Sequence, residues 1–281
     1  MRNRLKQTST DWRWWHALLA IAAFLLASAI SLAGTSAASL SPAIGPLFQA
    51  WSVPLTFVAF ASLALLFMRW STGRWPSVED LALKPRLTRR DLALLAVVFL
   101  VSHGLFVLLG AGQQHNPRQM FGEYGLAGSF PQVLPAIVAT VVLAPVCEEL
   151  LYRGIILRCL HDWARRRPRL SRVAVMLALL ASSWLFALPH VADGLWTPVG
   201  LAYLISGLAF GVVYVASGSL TAAMVSHALQ SVFAFGQLLV YGKGDHPVSP
   251  LLYVLVFGAP LWVFLCARAL HALLPKASTV D

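Results

Sequence analysis

The feature of this chain that most restricts its fold is a succession of long apolar stretches separated by short polar ones. Each is near the roughly 20 residues that a bilayer-spanning helix needs, and eight are predicted, at 17–34, 47–68, 92–112, 131–156, 173–190, 198–216, 219–241 and 249–271. Charged residues make up only 11% of the 281 positions, against roughly 25% in soluble domains. The sequence therefore predicts an all-α fold, a polytopic membrane helix bundle of about eight transmembrane helices.

The first stretch, 17–34, could be mistaken for a signal peptide, because it has a basic start and small residues near its end. Its apolar part is long, and the paired Trp14 and Trp15 are typical of the membrane interface. We therefore interpret it as a retained first helix.

The net charge of +10 could suggest a nucleic-acid partner, but its distribution indicates membrane topology instead. Basic residues lie before the first predicted helix, after the second, after the fourth and at the end of the eighth: Arg2, Arg4, Lys6, Arg13, Arg69, Arg74, Lys84, Arg86, Arg89, Arg90, Arg158, Arg165, Arg166, Arg167, Arg169, Arg172, Arg268 and Lys276. The alternate loops carry only Arg118 and Lys243. Because cytoplasmic loops carry the excess of Lys and Arg, we expect both termini in the cytoplasm and no nucleic-acid partner.

Charged residues inside membrane helices are costly and usually functional, and here they collect in the fourth helix. Glu149 and Arg153 are four residues apart with the acid first, the better orientation for an ion pair on one helix face. Glu148 points about 100° away and has no such local partner. It is therefore a candidate general base, since a carboxylate in a membrane cavity can accept a proton from water. An Arg153 shared by both acids as a structural network remains the alternative.

Histidines add to this inventory on two further helices. Phe186 and His190 share a face at the end of the fifth helix, and His227 and Ser231 share a face of the seventh. Each alone is more often an interfacial side chain or a polar helix contact. Together with an unpaired carboxylate they provide what hydrolysis needs, a base for water and donors for a developing oxyanion. Gly207 and Gly211 form a GxxxG motif, to which we assign helix packing alone.

These motifs resemble those of the CAAX-protease and bacteriocin-processing family (CPBP, or Abi), whose members include the type II CAAX prenyl endopeptidases. The family's EExxxR motif corresponds to 148–153 and its FxxxH motif to 186–190. Its third motif, a histidine followed four residues later by asparagine, falls on His227. The similarity covers roughly 131–235, and it divides the chain into N-terminal helices with a linker (1–130), a catalytic core (131–241) and a C-terminal helix with its tail (242–281).

The resemblance implies that Glu148 and His190 activate water, that His227 helps to stabilise the oxyanion, and that Glu149 and Arg153 orient the site. It also implies a membrane-embedded or membrane-associated protein or peptide as substrate, and a bacterial inner membrane as location. The linker 69–91 is expected to be cytoplasmic and to end in a short interfacial helix. On straight helices Glu148 and His190 would lie at different depths, so the catalytic pairing forms only if the fourth helix continues well past 156 or if helices tilt and break. We expect the fourth helix to extend towards Arg165.

One position departs from the family, since Ser231 stands where an asparagine is usual, and serine offers one donor on a shorter arm. Gln230 is adjacent, but we do not expect it to replace the asparagine. Ser231 therefore favours the alternative function, a non-proteolytic bacteriocin-immunity or scaffolding membrane protein. A transporter is a third hypothesis, but the sequence shows no inverted repeat of the kind found in many transporters.

Cofactors are expected to be absent. Two histidines and a glutamate could bind zinc with a position open for water, as in a metalloendopeptidase, but no HExxH spacing occurs and the resemblance favours a glutamate mechanism.

Three cysteines are too scattered for a disulfide framework or a metal knuckle and are expected to be free thiols: Cys147, Cys159 and Cys266.

Overall fold

The structure, a computed structural model, describes residues 12–38, 45–109, 116–166, 171–191 and 194–276. The described part is helical and contains no strand. Its helices are α1 (Trp14–Ala38), α2 (Gly45–Thr72), α3 (Arg89–Leu108), the short α4 (Pro117–Glu123), α5 (Phe130–Arg165), α6 (Ser171–Ala187, continued as a 3-10 turn to His190), α7 (Pro198–Ser217), α8 (Leu220–Gly242), α9 (Pro250–Phe257) and α10 (Ala259–Leu273).

Seven of these helices are long and apolar enough to cross a bilayer, and an eighth span is obtained if α9 and α10 count as one. The eight segments coincide with the eight predicted ones. The last differs in shape, because α9 and α10 meet at an angle of 58° around Gly258. The predicted all-α polytopic bundle is confirmed, and the protein is an integral membrane protein. Positions 110–112 of the third predicted helix and the basic residues Arg2, Arg4, Lys6, Arg167 and Arg169 lie outside the described residues.

The central helix is α5, which runs for 36 residues and extends to Arg165, as predicted. Its hydrogen-bonding pattern is not uniform. Two π-helical segments, at 139–143 and 150–157, lie on either side of an α-helical stretch at 144–149. Pro145 accounts for the first, since proline has no N–H for the α-helical bond and its ring clashes with the carbonyl four residues earlier. The two acids therefore sit between two changes of helix phase, a common arrangement at functional sites.

Glycines bring α6 and α7 together beside α5. A Cβ at Gly207 would lie 3.0 Å from the backbone of Ser183, and one at Gly211 would lie 2.3 Å from Leu179 Cδ1. At Gly207 the neighbour is backbone, so glycine allows the close approach of the helices, whereas a larger residue at Gly211 would require only the end of the Leu179 side chain to move. These contacts agree with the packing role predicted for the GxxxG motif.

The turn between α7 and α8 has the caps that its sequence predicts. Gly218 ends α7 with a positive φ of 61°, which glycine adopts without steric cost. Ser219 then accepts a hydrogen bond from Ala222 N and begins α8. This tight turn sets the depth of His227, two turns further along α8.

The linker 73–88 between α2 and α3 folds against the bundle and contains no interfacial helix. Its residues 78–82 form turns, and α3 begins only at Arg89, where Thr88 and Asp91 make a capping box. The short helix predicted at its end is therefore wrong, because the capping box places the start of α3 and the backbone before it bonds to α7 and α8 instead.

Candidate functional site

Glu149 is the residue that joins the polar groups of the site. It is fully buried, and its Oε1 accepts one hydrogen bond from Arg153 Nη1 at 2.9 Å and another from His227 Nδ1 at 3.0 Å. The first contact is the i,i+4 pair predicted from spacing. The second links α5 to α8 across 78 residues of sequence, and sequence reasoning missed it because no local pattern connects those positions.

Arg153 is fully buried and contacts α7 and two aromatic rings besides Glu149. Its second guanidinium nitrogen donates to the carbonyl of Gly207 at 2.7 Å, and its charge lies 4.6 Å from the centre of the Phe186 ring and 5.4 Å from that of Phe210. A cation over aromatic faces is attracted by their quadrupoles. The Gly207 contact needs the close approach that glycine allows, so the GxxxG motif also positions the acid–base pair.

Glu148 faces a different partner from its neighbour, as the helix phase predicts. Its Oε1 lies 3.6 Å from His190 Nε2, while the carboxylate is almost completely buried. Its Oε2 has no hydrogen-bond partner among the described residues. A buried polar atom without a partner costs free energy, so this oxygen is free to accept a hydrogen bond from a water or a substrate group.

His190 has a fixed orientation, because its Nδ1 lies 2.8 Å from the carbonyl oxygen of Phe186. A carbonyl only accepts, so Nδ1 must carry the hydrogen and Nε2 is directed at Glu148. The ring also stacks on Tyr203, with ring centres 4.7 Å apart. The 3-10 turn at the end of α6 and the packing of α7 therefore fix this imidazole at the depth of Glu148.

Phe186 is buried between the two imidazoles. Its ring centre lies 5.0 Å from that of His190 and 5.6 Å from that of His227, which stacks in turn on Phe210 at 4.5 Å. Removal of this ring would take one aromatic contact from each histidine. The positioning role expected for Phe186 thus has a geometric basis.

The two polar residues after His227 lie differently from expectation. The hydroxyl of Ser231 is directed at backbone carbonyls, 3.4 Å from Thr140 O and 3.3 Å from His227 O. Gln230, which we did not expect to take part, lines the cavity and donates its amide N–H to Ser206 Oγ at 2.7 Å. Its α8 position, three residues after His227, keeps it on the cavity side of the helix.

A cavity of about 450 Å³ contains these groups, a size typical of small-ligand sites. Glu148, His190 and His227 line it together with residues of α2, α3 and the segment after α4, among them Val53, Phe106 and Tyr124. Val53 is 50% exposed on α2, so the cavity reaches the lipid-facing surface. Tyr124 lies outside the membrane helices, and burial, with a smaller effect from Glu123, raises the pKa of its phenol.

Among the described residues, no three His, Cys, Asp or Glu side chains are arranged to hold a metal ion. Each imidazole instead faces a carboxylate, and the nearest cysteine, Cys147, is a buried free thiol like Cys159, while Cys266 is free and half-buried.

Comparison with known proteins identifies one family. Residues 130–233 match the model of the Rce1-like family, described as type II CAAX prenyl endopeptidase Rce1-like. No curated protein and no solved structure matches the chain significantly.

The match confirms the resemblance inferred from the three motifs and falls on α5 to α8, which supply every polar group of the site. It supports a CAAX-type intramembrane protease acting on a peptide or protein substrate.

Proposed function

We propose that the protein is an intramembrane endopeptidase in which Glu148 and His190 activate the attacking water. The observation that carries the proposal is the buried Glu148 carboxylate, which has one oxygen 3.6 Å from His190 and the other without a partner among the described residues. A carboxylate placed in this way accepts a proton from water and later returns it to the leaving group.

The reaction proceeds through a tetrahedral intermediate. Water attacks the carbonyl carbon of the peptide bond as its proton passes to Glu148, and the carbonyl oxygen becomes the oxyanion. The intermediate then collapses, the C–N bond breaks, and the leaving amine takes the proton from Glu148. Atoms and charge balance without a further reactant.

His227 stabilises the oxyanion in this proposal. Its Nδ1 lies 3.0 Å from Glu149 Oε1, and the imidazolium form, which carries a hydrogen on each ring nitrogen, donates the Nε2 hydrogen to the oxyanion. Glu149 and Arg153 act as positioning residues, because they orient His227 and tie α5 to α7. Gln230 supplies an amide on the cavity wall that holds the substrate backbone, and it lies one position before Ser231, where the family usually has an asparagine.

A peptidase assay on detergent-purified protein with a quenched peptide library tests the proposal. Glu148→Gln is expected to lower kcat by about 10²–10⁴-fold, the usual contribution of a general base, and His190→Ala to lower it as well. Glu123→Gln, an exposed acid on α4, serves as the matched control and should retain parental activity.

The assay is repeated with a chelator, and cleavage by the parent should persist. Loss of cleavage on chelation, reversed by zinc, would contradict the metal-independent mechanism. If all variants are folded and the parent cleaves nothing, the non-proteolytic immunity or scaffolding function is favoured, for which the backbone-directed hydroxyl of Ser231 is the supporting observation.

A further inference from the structure

The cavity lies in one half of the bundle. Along α3, which starts beside the linker 73–88, its lining residue Phe106 is near the far end. Its lining residues around the end of α6 are Phe186, in the last turn of the helix, and His190, in the 3-10 turn that follows. The α7 helix runs in the opposite sense and contributes from its first turn, at Val199. The cavity therefore extends from Glu148 towards the face opposite the linker.

The linker 73–88 closes the other face beneath the catalytic groups. Leu81 is fully buried, and its carbonyl accepts a hydrogen bond from Tyr214 at 3.2 Å. The neighbouring carbonyl of Ala82 accepts from Leu220 N at 2.8 Å. A Cβ on Gly154 would lie 3.1 Å from Leu220 and 3.4 Å from Leu81, so packed side chains fill the space immediately below Arg153.

The closed face is also the basic face of the molecule. Among the described residues, every lysine and arginine except Arg118, Lys243 and the buried Arg153 falls on segments at that end of the bundle. Lys84 is part of the closure itself, since its Nζ donates to Ser217 O at 2.8 Å. Cytoplasmic loops carry the excess of Lys and Arg, which makes the basic face cytoplasmic and the cavity mouth extracytoplasmic.

We infer that this enzyme takes its substrate from the extracytoplasmic side of the membrane. The cleavage rests on the proposed function, whereas the access route rests on the placement of the cavity, the linker and the charges. The substrate class is then a peptide segment of a translocated or membrane-inserted protein, and a protein confined to the cytoplasm would not reach Glu148. The exposed Val53 at the cavity edge fits a segment that enters from the lipid phase.

Cysteine accessibility tests the access route without any activity. Ala202→Cys places a thiol in the cavity, Asp245→Cys places one on the exposed loop before α9, and Arg86→Cys places one on the exposed part of the linker. Each variant is treated with a membrane-impermeant thiol reagent in intact and in permeabilised cells. The parent, whose cysteines are buried or half-buried, gives the background.

Ala202→Cys and Asp245→Cys are expected to react in intact cells, and Arg86→Cys only after permeabilisation. The inference is overturned if Ala202→Cys reacts only after permeabilisation together with Arg86→Cys. It is equally overturned if Asp245→Cys reacts in intact cells while Ala202→Cys reacts under neither condition, because the cavity would then be closed to the outside.

A second experiment separates the access route from the chemistry. An impermeant quenched peptide that the detergent-solubilised protein cleaves is added to sealed right-side-out and inverted vesicles. Cleavage is expected in right-side-out vesicles, and in inverted vesicles only after detergent is added. Cleavage by sealed inverted vesicles alone would refute extracytoplasmic access but leave the peptidase function intact. Absence of cleavage in detergent would refute the peptidase function, and the labelling result would still stand.

Discussion

At the scale of single residues, two adjacent acids carry different partners. Glu149 bonds both Arg153 and His227 through one oxygen, whereas Glu148 lies beside His190 and lines the cavity. The second oxygen of each carboxylate has no hydrogen-bond partner among the described residues. Removal of one partner from a buried ion pair usually costs about 3–5 kcal/mol, because the remaining charge is left uncompensated. Glu149 and Arg153 therefore contribute to stability as well as orientation, and Glu148 is the acid that can be changed with the smaller effect on folding.

The importance of the Gln230 amide can be tested by substitution. Gln230→Leu is expected to lower kcat/KM by about tenfold, the equivalent of about 1.4 kcal/mol, or one good hydrogen bond to the substrate. Ser231→Ala should change it less, because that hydroxyl is directed at backbone carbonyls. The measurement is steady-state kinetics with thermal stability alongside.

Gln230→Asn, which keeps the amide, is the matched variant and should recover part of the activity. A purely structural role would appear instead as equal losses of stability in both Gln230 variants with unchanged kinetics of the folded fraction. A larger loss in Ser231→Ala than in Gln230→Leu would assign the family's asparagine role to Ser231.

At the scale of elements, the linker 73–88 behaves as part of the bundle rather than as a loose connection. Arg74 and Asp80 form an ion pair at 2.8 Å, and the buried Asp80 also accepts from Ser77 N. Ala82 has a positive φ of 55°, a left-handed conformation that costs L-residues about 1–2 kcal/mol. The linker keeps this conformation because the Ala82 carbonyl must meet Leu220 at the start of α8.

Substitutions of Ala82 test the importance of that conformation. Ala82→Val is expected to lower the free energy of unfolding by more than 1 kcal/mol, roughly the excess cost of a β-branched residue at positive φ. Ala82→Gly should be close to neutral, since relief of strain offsets the greater entropy of glycine in the unfolded chain. Thermal unfolding in detergent measures both, and equal destabilisation by the two substitutions would exclude strain at this position as the cause.

At the scale of the whole molecule, the cavity is apolar apart from the catalytic groups and a few hydroxyl and amide side chains. Among the described residues that line it, no lysine or arginine occurs. An acidic side chain from a substrate would therefore lose its hydration without gaining a counter-ion, which is strongly unfavourable.

We therefore expect kcat/KM to be at least about tenfold lower for peptides with Asp beside the scissile bond than for those with Leu or Phe, because each tenfold corresponds to only about 1.4 kcal/mol of lost binding. Matched quenched peptides of equal length, which differ at one position, measure the ratio. Equal rates would indicate that charged side chains stay in water and that only the backbone enters the cavity.

Local patterns in the sequence were sufficient for much of this structure. The eight spans follow from apolar length, the Glu149–Arg153 pair from a spacing of four, and the turn at Ser217 to Ser219 from its capping residues. The different directions of Glu148 and Glu149 follow from 100° per residue. These features depend on residues within a few turns of one another, so the chain determines them before any helices assemble.

Only the tertiary structure decided which helices share partners and where the cavity opens. The bond from His227 to Glu149, the approach of His190 to Glu148 and the position of Gln230 each join segments that are distant in sequence. The linker could be seen as polar and cytoplasmic, but its fit against Gly154 and Leu220 depends on the packing of four segments at once. Helical periodicity fixes the direction in which a side chain points from the axis of its helix. The residues that the side chain contacts depend on helix tilt, phase changes and interhelical contacts, which arise only when the bundle packs.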